Sequence, residues 1–292
     1  MTSNAFLNRL KSGRVFVADG ATGTNLQARG LAQGMASEQW VVENPEAIMQ
    51  LHRDFVAAGS NLLLTSTFGG TSLRLEHCGL QQRTAEVNRR AAELARAAGN
   101  GAAVLVGGSM GPTGHLFEPL GPLSRADAVA AYAEQARGLA QGGVDVLVIE
   151  TMFDMGEATA AMEGARSQTN LPIVCSFSYD MGAHTMMGLQ PAQVATELTA
   201  LGVDVVGINC GKSLADNLAA LKAVRAATVK PIWMKPNAGL PRMGPDDIAL
   251  YDVTPADMGA QARLWIEAGA QVIGGCCGTS PAHLKEIAKA AA

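Results

Sequence analysis

The sequence predicts a (β/α)8 TIM barrel in a single domain, residues 1–292. Short β-branched or leucine-rich runs recur eight times, each followed by a longer segment rich in Ala, Glu and Arg. Strands alternating with crossover helices in this way build a parallel sheet. No low-complexity linker cuts the chain, and 292 residues with 48% hydrophobic content suit one large core. The alternative architecture is an open, doubly wound sheet.

In order, the first strand is Val15 to Ala18, with its helix at Pro45 to Ala58. Leu62 to Thr65 precedes a helix near Gln82 to Ala98, and Ala103 to Val106 precedes Arg125 to Gln141. Val146 to Ile149 pairs with Met155 to Gln168, and Ile173 to Ser176 with Pro191 to Ala200. The last three units are Val205 to Ile208 with Leu214 to Ala227, Ile232 to Met234 with Pro255 to Ala268, and Gln271 to Ile273 with Pro281 to Ala290. Four of these helices open on proline, whose fixed φ suits a first turn.

Composition narrows the function. A formal charge of −4 without a basic run argues against a nucleic-acid partner. Met1 to Lys11 lacks the pattern of a signal peptide, and no segment approaches the ~20 apolar residues that span a bilayer. A soluble, cytoplasmic protein is expected. Five cysteines, an odd number, then fit reduced thiols or metal ligands better than disulfides.

Unusual residues gather just after the strand ends, the rim where barrel enzymes carry their active sites. Gly274-Gly275-Cys276-Cys277-Gly278 follows the eighth strand and Gly207-Ile208-Asn209-Cys210-Gly211 closes the sixth. Successive strand side chains point to opposite faces, so Cys276 and Cys277 can converge on one ion only where the flanking glycines let the backbone turn. Three thiolates hold Zn²⁺ and leave a fourth position open, the arrangement of a catalytic zinc. Buried packing thiols, or a Cys276–Cys277 disulfide, are the alternatives. Cys78 and Cys175 lack the glycine frame and read as surface or packing thiols.

Asp19 and Glu150 end apolar strands, where a buried carboxylate needs a cation or donors; a substrate ammonium would serve, and helix capping or loop bracing is the alternative. The glycine-rich turn after Asp19 offers backbone N–H groups to a carboxylate. Such a pocket suits an amino acid with a sulfur side chain. Lys235, at the end of the seventh strand, could instead form a Schiff base in a carbon–carbon lyase. The five histidines read as surface or capping residues.

Asp19-Gly20-Ala21-Thr22-Gly23-Thr24, Gly207-Ile208-Asn209-Cys210 and Gly274 to Thr279 together resemble the zinc-dependent homocysteine S-methyltransferase family, over nearly the whole chain. That family includes the homocysteine domain of cobalamin-dependent methionine synthase and the betaine and S-methylmethionine enzymes. The resemblance implies that Cys210, Cys276 and Cys277 hold zinc and that homocysteine sulfur takes the fourth position. Asp19 and Glu150 would meet the substrate ammonium, amides around Ala21 and Thr22 its carboxylate, with Asn209 among the substrate contacts. The thiolate would then attack a methyl group in line, giving methionine.

For the donor, Gly69 stands where animal betaine enzymes carry tyrosine, and aromatic content of 4% leaves few residues for a cage around a quaternary ammonium. Methylcobalamin on a separate corrinoid protein is therefore the first expectation, since the chain ends soon after Cys277. Betaine or another small onium compound is the second, with a cation pocket near Phe68 and Trp40. A zinc-binding protein without catalysis is a further alternative, and it would want a fourth protein ligand.

Overall fold

In a computed structural model, which describes residues 4–99, 104–181, 183–244 and 249–292, the eight apolar runs lie in one parallel sheet. The strands are β1 (Phe16–Val17), β2 (Leu62–Leu64), β3 (Leu105–Met110), β4 (Val146–Met152), β5 (Ile173–Phe177), β6 (Val205–Cys210) and β7 (Ile232–Pro236). After them, β8 (Arg242–Met243) and β9 (Ala249–Leu250) form a separate antiparallel pair, and β10 (Val272–Ile273) completes the sheet. Its order is β1-β10-β7-β6-β5-β4-β3-β2, and a parallel bridge between Ala18 and Leu62 joins the two ends into a barrel. The Asp19 carboxylate helps close that seam by accepting the Leu64 N–H at 2.7 Å.

The helices are α1 (Ala5–Lys11), α2 (Thr22–Gln27), α3 (Ser37–Glu43), α4 (Pro45–Ala57), α5 (Ser72–Leu75), α6 (Thr84–Ala98), α7 (Arg125–Gln141) and α8 (Met155–Gln168). They continue with α9 (Pro191–Ala200), α10 (Leu214–Ala227), α11 (Pro255–Glu267) and α12 (Pro281–Ala290). Several expected boundaries move. Strands β3, β4, β6 and β7 run further toward the rim than expected, so Glu150, Cys210 and Lys235 fall within the strand ranges, with a register shift between Ile149 and Met152 in β4. Ala103, the expected start of the third strand, lies outside the described residues. Helix α6 begins at Thr84 because Gln81–Arg83 forms a tighter 3-10 turn.

One short helix changes the architecture. Asn4 caps α1 by accepting the N–H groups of Phe6 and Leu7, and its own amide donates to the Asp145 carbonyl at the start of β4. Phe6 and Leu10 thereby enter the barrel interior with Phe16, Leu62, Val146, Val205, Trp233 and Val272. The Phe6 and Phe16 rings lie 5.3 Å apart. Helix α1 thus plugs the end of the barrel at which the strands start, and a larger cluster fills the layer between strands and helices.

His52 is not a surface residue. It is 1% exposed on α4, and neither ring nitrogen has a hydrogen-bond partner among the described residues. Burial pushes its pKa down from 6.5 to about 4, against the opposing charge of Asp19. The unfolded chain therefore takes up a proton near pH 6.5 that the folded chain refuses until about pH 4. Stability is full above that window and falls through it, by about 3 kcal/mol for this residue. His52→Leu is expected to flatten this part of the pH–stability curve measured by denaturant unfolding. An unchanged curve would remove His52 as the cause.

Candidate active site

At the C-terminal ends of the strands a cavity of about 420 Å³ opens among the βα loops. Its wall includes Cys210, Cys276, Cys277, Lys235, Glu150, Thr151, Ser66, Thr24, Phe68 and Tyr251. Cys210 lies 66 residues before the adjacent pair Cys276 and Cys277, and the three reach the cavity together because β6, β7 and β10 are neighbours in the sheet. Their sulfurs all lie within 4.8 Å of one another, with Cys210 and Cys276 at 3.0 Å.

Two loops hold this trio, and Asn237 ties them together. Its Oδ1 accepts the Cys277 N–H at 3.0 Å, its Nδ2 donates to the Gly211 carbonyl at 3.1 Å, and its own N–H donates to the Cys210 carbonyl at 3.2 Å. Gly278, at φ +78°, ends the second loop in a conformation other residues rarely adopt, and a Cβ there would collide with the Tyr251 ring.

Cys210 and Thr151 both hold positive φ, 56° and 62°, which is uncommon for any side chain and exceptional for a β-branched one. Such strain persists only where the surroundings impose it. Here the Asn209 side chain imposes it: Oδ1 accepts the Thr151 N–H at 2.8 Å and the Ser176 hydroxyl at 2.5 Å. Nδ2 donates to Thr151 Oγ1 at 2.6 Å and to Cys210 Sγ at 3.4 Å. Asn209 is fully buried behind the sulfurs and is not part of the cavity wall.

The sulfurs share charge unevenly. Hydrogen bonds from Cys210 and then Cys276 hold the Cys277 thiol far below its usual range, at about 3. Cys210 is pushed well up by its hydrogen bonds to Cys276 and Cys277 and by burial. One thiolate forms readily, and the next two require a cation among them. Three sulfurs at this spacing suit a soft metal ion, because a tetrahedron with bonds of about 2.3 Å has edges of about 3.8 Å. No fourth Cys, His, Asp or Glu joins the group among the described residues.

The polar side of the cavity differs from expectation. Asp19 is 1% exposed and does not line the cavity. Its Oδ1 accepts from Lys235 Nζ at 2.7 Å, and Leu64 N–H holds the other oxygen. Burial alone would lower the Lys235 pKa, but the charges of Asp19 and Glu150 outweigh it and hold the ammonium above its usual value. A protonated lysine is no nucleophile, so the Schiff-base reading loses its footing. Glu150 accepts the Ser109 hydroxyl at 2.5 Å, and burial pushes its carboxyl up to about 7 despite the pull of Lys235.

Ala21 N–H is also engaged, by the Thr279 carbonyl at 3.2 Å and the Thr279 hydroxyl at 3.1 Å. Thr22, at the start of α2, remains on the cavity wall. Trp40 is packed in the core and contributes nothing to the cavity, whereas Tyr251, which the sequence reading passed over, does. In the loop after β3, the Thr113 N–H and hydroxyl both donate to the buried Glu157 at 2.7 Å.

The geometry agrees with similarity to known proteins. The methionine synthases of Mycobacterium tuberculosis (strain ATCC 25618 / H37Rv) and Mycobacterium leprae (strain TN) are 31% and 30% identical to the chain, each over 96% of it. The chain spans only 25% and 24% of those two proteins. The crystal structure of the homocysteine methyltransferase MmuM from Escherichia coli, metallated form, superimposes with a TM-score of 0.84 at 26% identity, covering 98% of this chain and 99% of that one. The sequence profile described as Homocysteine S-methyltransferase matches residues 16–291, and the chain belongs to that family of methyltransferases acting on homocysteine.

Proposed function

We propose that residues 1–292 form a zinc-dependent homocysteine S-methyltransferase that produces methionine, working as a soluble cytoplasmic enzyme. The carrying observation is the placement of Cys210, Cys276 and Cys277 on the same cavity wall as Glu150 and Lys235. The three sulfurs would hold Zn²⁺, which supplies the Lewis acidity that keeps a substrate thiol ionised at neutral pH. Asn209 and Asn237 hold the sulfurs in place, and Glu150 takes the substrate ammonium. Asp19 acts one step back, through Lys235, rather than as a direct ligand. The Thr22 amide is left for the carboxylate. In the transfer, a sulfur–carbon bond forms as the donor's bond to the methyl carbon breaks, and that bond's electron pair leaves with the donor.

For the donor, the first reading is methylcobalamin carried by a separate corrinoid protein. Exposed apolar side chains crowd the rim loops, among them Leu116, Leu120, Met181, Met186, Met243 and Leu250, as a docking protein would require. The second reading, a small onium donor such as betaine or S-methylmethionine, is favoured by the end-to-end similarity to MmuM and by the aromatic faces of Phe68 and Tyr251 on the cavity wall. Methionine formation by the zinc-loaded protein, assayed separately with methylcobalamin, betaine and S-methylmethionine, decides between them. Turnover with methylcobalamin alone is expected, turnover with an onium compound selects the second reading, and silence with all three despite bound zinc would sink both.

A further inference from the structure

With a thiol substrate in place, three of the four sulfurs at this site would belong to the protein itself. A thiolate is a nucleophile wherever it stands, so Cys210 could attack a methyl group as the substrate does. That misplaced step would form a sulfur–carbon bond on Cys210 as the donor's bond to methyl breaks, with the electron pair leaving on the donor. The protein would be left with a thioether in place of an anionic ligand.

The Asn209 side chain sits behind two of these sulfurs, and chemistry fixes which way round it lies. The Thr151 N–H can only donate, and it meets Oδ1 at 2.8 Å, so the other end of the amide carries the two hydrogens. One goes to Thr151 Oγ1 at 2.6 Å, and the other faces Cys210 Sγ at 3.4 Å, with Cys276 Sγ at 4.0 Å. The Thr151 hydroxyl accepts from the amide and keeps its own hydrogen for Cys210 Sγ at 3.9 Å. Cys277 is held differently, since Asn237 meets it at the backbone N–H rather than at sulfur. Asn209 is fully buried and off the cavity wall, so its donors serve the protein's sulfurs and not a ligand in the cavity. A thiolate stabilised by such donors is a poorer nucleophile.

We propose that Asn209 and the Thr151 hydroxyl protect Cys210 from methylation, so that the methyl group goes to the substrate sulfur. This rests on reading the site as a zinc-dependent homocysteine methyltransferase. Asn209 is then a positioning residue that sets which sulfur reacts, beyond holding Cys210 in place.

The test is site-resolved alkylation. Zinc-loaded protein is treated with limiting methyl iodide, whose iodide leaves with the electron pair, and S-methylation of Cys210 and Cys277 is read by peptide mass spectrometry beside zinc content. Asn209→Asp keeps an acceptor for the Thr151 N–H and the Ser176 hydroxyl but turns an oxygen toward Cys210. It is expected to raise the Cys210-to-Cys277 methylation ratio roughly 3- to 10-fold, because a hydrogen bond to a charged acceptor is worth about tenfold or more and nucleophilicity follows about half of that on a logarithmic scale. Thr151→Val removes only the hydroxyl and should raise the ratio about 2-fold; it decides the matter if Asn209→Asp fails to hold zinc. A zinc-loaded variant with the wild-type ratio, including one in which Cys277 rises as much as Cys210, overturns the proposal and leaves the assigned reaction standing. A parallel arm adds homocysteine and reads methionine: wild-type protein giving no more than a protein-free blank overturns the reading of the site and the proposal with it.

Discussion

Cys277→Ala is expected to purify with less than about one-tenth of the wild-type zinc and to lose methionine formation. Loss of a direct ligand should exceed the roughly 10- to 100-fold in affinity or activity that partners around such ligands are worth. The structure explains why Cys277 is the sensitive member. It is the thiol that ionises first, because Cys210 and Cys276 donate to it. Removing it leaves Cys210 and Cys276, both pushed up, to ionise without a neighbouring thiolate's partners. Cys78→Ala is the control, since Cys78 is half-buried and donates only to the Leu75 carbonyl. Metal content by atomic emission, read beside turnover, tests the point. A Cys277→Ala protein with full zinc and normal activity would remove the three-sulfur site from the mechanism.

The barrel was legible because its signal is local and repeated. Runs such as Leu62-Leu63-Leu64 and Val146-Leu147-Val148 are apolar on both faces, as strands covered on both sides must be. Helix α1 was not legible for the same reason in reverse. At seven residues it is too short for a periodic pattern, and its stability comes from Phe6 and Leu10 entering a core built by distant strands. The cysteine trio was readable from its glycine frames. The pairing of Asp19 with Lys235 was not legible, because the two lie 216 residues apart and meet only once β1 and β7 flank β10. Taken singly, Asp19 is a carboxylate in need of a cation and Lys235 a buried cation in need of an anion. The sequence marked both and left their pairing to the sheet register. Thr151 showed only as a residue after a strand end and Tyr251 not at all, since their roles rest on a positive φ and a close approach to Gly278 that only the folded backbone has.

Asp19→Asn is expected to destabilise the protein by about 3–5 kcal/mol, the cost of stripping one partner from a buried ion pair. Lys235 would then be a buried ammonium, 2% exposed, with the more distant Glu150 as its remaining counter-charge. Burial, now less opposed, would pull its folded-state pKa downward. A folded-state pKa below the unfolded value means that stability rises with pH, so the deficit should shrink as pH approaches ~10.4. Wild-type protein should lack that rise, because its Lys235 pKa is held up. Replacing both partners, Asp19→Asn with Lys235→Met, removes the stranded charge and should recover most of the loss, since apolar substitutes for a buried pair are often neutral. Denaturant unfolding of the single and double variants between pH 7 and 10 separates these outcomes. A single variant as stable as wild type would mean that the 2.7 Å contact contributes nothing to the fold and that Asp19 serves substrate recognition alone.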